Sequence, residues 1–279
     1  MNRSVRYLAI AAALLMLLSA LGCGKLRARD QLNKGVQAFK NARWEQATEH
    51  FKNAVALDPS LLTARLYLGT AYMQMYIPGA ETPENNRNAQ QAIDEFKKVL
   101  DSNPSVAQKL HAIKSIASLY YNMKDFPKAK DFYKQAIATD PKDPETFYML
   151  GVINWADTYK TAAEVKSKIG LKVDDAFGKG KNDQKACQDL RASQLDKVTE
   201  GIKALDSALN VRPEYEDAMA YMNLLYRRKA DLECGNPAAR TADIAAADKW
   251  VAKTMATRQA KSEKQQQAGG IMLDTPAKK

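Results

Sequence analysis

One frame of residues recurs along this chain and limits what it can fold into. A small residue is followed by a bulky one four positions on, a second small or β-branched residue three further, and a proline five beyond that. The copies are Ala47, Phe51, Ala54 and Pro59; Ala92, Phe96, Val99 and Pro104; Ala129, Tyr133, Ala136 and Pro141; and Gly201, Leu205, Ala208 and Pro213. Spacings of three and four put side chains on one face of an α-helix, and proline stops the helix because it lacks an N–H and disfavours helical geometry in the residue before it. A helix with a single apolar stripe cannot bury it alone, so four such helices require partners. These lie just upstream, in LNKGVQAF (32–39), LYLGTAYMQMY (66–76), IKSIASLYYNM (113–123) and FYMLGVINW (147–155), where Gly35, Gly69, Ala117 and Gly151 recur at one position. The pattern predicts antiparallel helix pairs with a small residue where the backbones approach closest. No strand period is evident.

This arrangement resembles the tetratricopeptide repeat, whose 34-residue unit carries Gly and Tyr in its first helix, Ala and Phe in its second, and then Pro. The resemblance implies an all-α, right-handed superhelical solenoid of about five hairpins, at roughly 28–61, 62–106, 107–143, 144–213 and 214–257. The proline spacings of 45, 37 and 72 residues exceed the ideal period, which predicts inserts within units two and four, and a longer middle predicts another in unit five. In unit two the insert surrounds IPGAETPENNRN, where Thr82, Pro83 and Glu84 read as an N-cap, a first-turn proline and a dipole-compensating acid. In unit four it covers about 156–193. Unit five keeps Tyr226, Ala246 and Trp250 in register but has Asn223 where glycine is expected, as a terminal cap would.

The flanks carry other signals. Arg3 and Arg6 precede a mostly apolar run, Tyr7 to Gly22, shorter than a membrane-spanning helix needs, so residues 1–22 read as an export signal. The end of the run, Ala20-Leu21-Gly22-Cys23, is similar to a bacterial lipobox, which implies acylation of Cys23, residues 23–27 as an anchor linker, and lipid attachment to an envelope membrane. For a Gram-negative cell, Gly24 rather than aspartate after the cysteine implies the outer membrane, facing the periplasm. An ordinary cleaved signal and an uncleaved anchor are the alternatives. Residues 258–279 lack a sustained apolar period and read as a disordered basic tail, with Ile271–Asp274 a short apolar island. Formal charge is +10, or +8 without Arg3 and Arg6. This permits attraction to anionic lipid or polymer, while export argues against nucleic acid.

No catalytic constellation is present. His50 and His111 lack metal-ligand spacing, and FGKGKND (177–183) lacks the spacing of a phosphate loop and reads as a turn. No catalytic, metal or cofactor-binding residue is assigned, and an enzyme is not expected. The resemblance implies instead a partner-binding groove lined by the first helices: Phe39 and Lys40; Thr70, Met73 and Gln74; His111, Lys114, Tyr121 and Asn122; Tyr148, Val152 and Trp155; Leu224, Arg227 and Arg228. The carboxylate clamp of chaperone-binding members is missing, since Leu32, Val36, Tyr67, His111 and Ser115 stand where Lys and Asn would be needed. The function this implies is a membrane-anchored scaffold binding an envelope protein or peptide segment, with electrostatic binding of anionic lipid or cell-wall polymer as the alternative. Finally, with Cys23 acylated, Cys187 and Cys234 form an even pair in an oxidising compartment. Both fall in inserts that join the two helices of neighbouring units, on one edge of a stack, so a disulfide between them is expected.

Overall fold

The computed structural model describes residues 24–270, and Cys23, the export signal and the Ile271–Asp274 island lie outside them. The described residues form ten α-helices and no strand. They divide into two compact units, residues 24–139 and 140–270.

The first unit holds three hairpins: α1 (24–40) with α2 (Trp44–Leu57), α3 (Leu62–Met75) with α4 (Pro83–Leu100), and α5 (Val106–Asn122) with α6 (Phe126–Thr139). The recurring frame is the hairpin core. Ala47, Phe51, Ala54, Ala92, Phe96, Val99, Ala129, Tyr133 and Ala136 are all buried. In the first two hairpins the bulky member of the second helix rests on the small residue of the first: a Cβ added at Gly69 would lie 2.9 Å from the Phe96 ring, and one at Gly35 would clash with Phe51. Thr82 is the N-cap of α4, accepting a hydrogen bond from Asn85 N–H at 3.2 Å, with Pro83 in the first turn. Asn85 then clasps the insert before it, accepting from Ile77 N–H at 2.7 Å and donating to the carbonyls of Ile77 (2.8 Å) and Ala80 (2.7 Å). A capping box at Ser105 and Gln108 opens α5.

The second unit holds α7 (Pro144–Lys168), α8 (Lys181–Val211), α9 (Glu216–Asp231) and α10 (Pro237–Gly270). Asp143 caps α7, with Pro144 in its first turn. The insert at 156–193 is largely helical, because α7 runs on to Lys168 and α8 starts at Lys181; only 169–180 is irregular. Gly151 repeats the close approach, with an added Cβ 2.5 Å from Leu205. In α10 the small residue buried against the unit is Ala247, fully buried, while Ala246 stays half-exposed.

Two expectations about the flanks are corrected. Residues 24–27, expected as linker, are the first turn of α1, and Ala28 is fully buried. Residues 258–270, expected to be disordered, continue α10: between Pro237 and Gly269 there is no proline or glycine, and Ala, Gln, Lys, Arg and Glu propagate a helix well. Arg258 and Lys261 bind Glu216 at 3.1 and 2.5 Å, and Lys261 also donates to the Glu214 carbonyl, which ties this extension to the start of α9.

Candidate partner-binding surface

In the second unit the first helices of the two hairpins, α7 and α9, pack together and carry a continuous run of aromatic rings. Tyr215 meets Tyr148 at 5.0 Å between centroids, Tyr148 meets Tyr221 at 5.6 Å, Tyr221 meets Trp155 at 5.4 Å, and Trp155 meets Tyr159 at 5.3 Å. Two of these contacts are edge-to-face, the arrangement favoured by aromatic quadrupoles. Tyr148, Trp155, Tyr159 and Tyr221 are half-buried, and three of them pack against the core of the unit (Leu205, Met219, Met222 and Leu225 among its members) while leaving area in solvent. Tyr148 and Trp155 therefore serve packing and surface together. Tyr215 anchors one end: its hydroxyl donates to the Glu145 carboxylate, which also binds Arg212 at 2.7 Å, and burial together with that bond pushes the phenol well above its usual range.

At the other end the run passes into buried charge. The Arg228 guanidinium lies 5.5 Å from the Tyr159 ring centroid and 3.1 Å from Asp231. Lys166, fully buried, reaches the same Asp231 oxygen at 3.2 Å and donates to the carbonyls of Val173 and Asp175, both at 2.7 Å, so it fastens the 169–180 segment. Burial lowers the Lys166 amine below the usual lysine range, with Asp231 opposing the shift. Beside this cluster Cys187 and Cys234 are joined by a disulfide, Cα to Cα 5.8 Å, linking the first turns of α8 to the α9–α10 connection. Arg191 on α8 adds a hydrogen bond to the Leu232 carbonyl at 2.7 Å.

Residues 115–143 match the tetratricopeptide repeat family model. Solved structures agree: a crystal structure of MamA protein, 16% identical, has a TM-score of 0.55 over 85% of this chain and 94% of its own, and MamA 41-end from Desulfovibrio magneticus RS-1, 15% identical, has a TM-score of 0.55 over 84% and 96%. The fold is that of tetratricopeptide-repeat proteins. No curated protein sequence matches the chain.

Within this tetratricopeptide fold the sequence-derived groove residues separate into groups. Tyr148 and Trp155 are brought together through Tyr221, Val152 is buried, and Leu224 is half-buried. Arg227 and Arg228 part company, since consecutive helical residues point about 100° apart. Arg227 is exposed and pairs with Asp248 of α10 at 2.8 Å, while Arg228 is buried in the charge cluster, so neither is the free groove cation expected from register. In the first unit Thr70 and His111 face a cleft of about 340 Å³ between α3 and α5, beside Tyr67 and Leu66. Burial and the nearby Lys114 lower the His111 imidazole. Phe39 is a packing residue, set against Trp44 at 4.8 Å and Tyr67 at 6.2 Å. Lys40 and Gln74 are exposed, and Met73 and Lys114 half-buried. Tyr121 packs on Phe126 at 6.0 Å, and Asn122 lines a different cleft, with Tyr76 and Pro78 at the loop edge. Sequence reasoning missed Tyr159, Tyr215 and Tyr221. The signal was available in the spacing of Trp155 to Tyr159 and of Tyr221 to Arg228, one helical face in each case.

Among the described residues no three His, Cys, Asp or Glu side chains converge as a metal site, and no helix is long and apolar enough to cross a membrane.

Proposed function

We propose that this chain is a scaffold of the cell envelope, held to a membrane by an acylated Cys23, that binds an extended segment of a partner protein along the α7–α9 aromatic seam. The observation carrying this reading is the run of half-exposed rings from Tyr148 to Tyr159. Aromatic side chains dominate binding energy because they bury large area with little loss of conformational freedom, and here packing against the core fixes them beforehand. Repeat folds of this kind use the surface of their first helices for extended ligands. The basic head, the short apolar run and Ala20-Leu21-Gly22-Cys23 support the anchor.

The test is affinity purification from envelope with the anchor intact, comparing wild type with Tyr221→Ala. A ring at the centre of the seam contributes about 2 kcal/mol or more to binding, roughly a thirtyfold loss on removal. The partner should disappear from the Tyr221→Ala eluate while circular dichroism stays unchanged, and binding by the wild type should survive a few hundred millimolar salt. Binding that collapses in salt and ignores Tyr221 would indicate the electrostatic mode instead. Mass spectrometry of the mature N-terminus tests the anchor; an unmodified Cys23 would end that part of the reading.

A further inference from the structure

The aromatic seam has two different ends, and the difference points to the chemistry of its occupant. We infer that Arg228 is an anion subsite that receives an Asp or Glu side chain of the bound segment, so that the seam takes an apolar stretch followed by an acidic residue. This rests on the seam being the binding surface.

Three observations carry it. Arg228 is more than nine-tenths buried, its Nη1 meets Asp231 at 3.1 Å as an ion pair without hydrogen-bond geometry, its Nε makes no hydrogen bond, and its guanidinium sits against Tyr159, the last ring of the run. Buried guanidinium donors are ordinarily satisfied, and best of all by a planar carboxylate. The local charge is also unbalanced, for Lys166 and Arg228 share one oxygen of Asp231, at 3.2 and 3.1 Å. The remaining acid is Asp174. Its side chain is 85% exposed, it lies on the irregular 169–180 segment, and it stands 3.7 Å from Arg228 Nη2, beyond hydrogen-bond distance. Asp174 thus occupies the place of an outside carboxylate without making its bonds, and an incoming acid displaces it.

Geometry sets the length of the occupant. From Tyr148 to Tyr159 the helix rises about 16 Å, the span of about five extended residues. An apolar, aromatic or prolyl stretch of that length places a following acid at Arg228. Charge complementarity at Arg228 sets the occupant's chemistry: a segment of a partner protein in which an apolar stretch precedes an acid.

Random 12-residue peptides displayed on phage, selected on the full chain, test this. Enriched peptides should carry Asp or Glu after an apolar stretch. A fluorescent enriched peptide should bind wild type about tenfold tighter than its Gln counterpart, as charge-assisted hydrogen bonds imply. In Arg228→Met that preference should fall below about twofold. Asp174→Asn, at an exposed position that spares folding, should tighten the Glu peptide about threefold and leave the Gln peptide unchanged, by removing the competing carboxylate. Peptides that need Tyr221 but show no acidic preference would overturn the Arg228 assignment and leave the seam standing. Peptides indifferent to Tyr221, or no enrichment at all, would overturn both. Tighter binding after deletion of residues 271–279 would reassign the seam to the chain's own tail and refute a partner segment as its occupant.

Discussion

Reducing the Cys187–Cys234 disulfide should destabilise the second unit by up to about 4 kcal/mol and leave the first unit unaffected. The bond closes a loop of 47 residues. On the chain-entropy model, tying that loop in the unfolded chain removes about 14 cal/mol/K, or about 4 kcal/mol at 25 °C. The loss cannot exceed this by much, because Arg191 still holds the Leu232 carbonyl and Lys166 still holds Asp231 once the sulfurs part. At a urea slope of about 2 kcal/mol per molar, the midpoint should fall by about 2 M. The three tryptophans allow each unit to be read separately, since Trp44 lies in α2 of the first unit and Trp250 in α10 of the second. Urea melts would therefore be followed in two single-tryptophan variants, one keeping Trp44 and one keeping Trp250, with and without a phosphine reductant. The Trp250 transition should move and the Trp44 transition should not. A Trp250 shift under about 0.5 M would show that the cross-link constrains little, and equal shifts in both variants would refute the assignment of its effect to the second unit.

Three further outcomes follow from the same side chains. Asp231→Ala leaves Lys166 and Arg228 buried without their shared anion and should cost about 3–5 kcal/mol, whereas Lys166→Met leaves the Arg228–Asp231 pair intact and should cost about 1–3, both read by urea melts of the Trp250 variant. Asn85→Ala removes three hydrogen bonds to the α3–α4 connection and should cost about 2 kcal/mol, with faster amide exchange at residues 77–81. Lys261 and Arg258 hold the Glu216 carboxyl below its usual range, so the stability it supplies is present above about pH 4.5 and is lost as pH falls through the lowered value. Amide protection in 258–266, relative to the intrinsic exchange rate at each pH, should accordingly fall in wild type as pH drops through that lowered value, and Glu216→Gln should show the reduced protection already at neutral pH.

The hairpins could be read from sequence because their packing rule is local and repeated. A bulky residue four beyond a small one, answered by Gly35, Gly69 or Gly151 upstream, states a steric requirement that the structure meets with Phe51, Phe96 and Leu205. The cap at Thr82 could be read for the same reason, since an N-cap and its partner lie three residues apart. The register of α10 could not, because Ala245, Ala246 and Ala247 stand in a row and composition cannot say which faces inward. The end of α10 was misread because a polar stretch of good helix formers looks the same whether helical or disordered, and what decides is a contact with Glu216, 45 residues away from Lys261. The fate of Arg228 was hidden likewise: its counter-charges come from Asp231 on its own helix and from Asp174 in a distant insert.

Asp231 connects the two features that distinguish the second unit. One of its oxygens meets both Lys166, which fastens the 169–180 segment, and Arg228, which closes the aromatic run. Three residues on, Cys234 ties the same stretch of chain to α8. The position of Arg228 relative to Tyr159 is thereby set by covalent, ionic and packing constraints that do not depend on any occupant. A surface held in this way loses little freedom when a segment binds, so most of the area its rings bury can appear as affinity. A rigid seam with a buried cation at one end also distinguishes the two directions in which an extended segment could lie, because only one of them brings an acid to Arg228, while at the Tyr215 end the nearby Arg212 is already paired with Glu145.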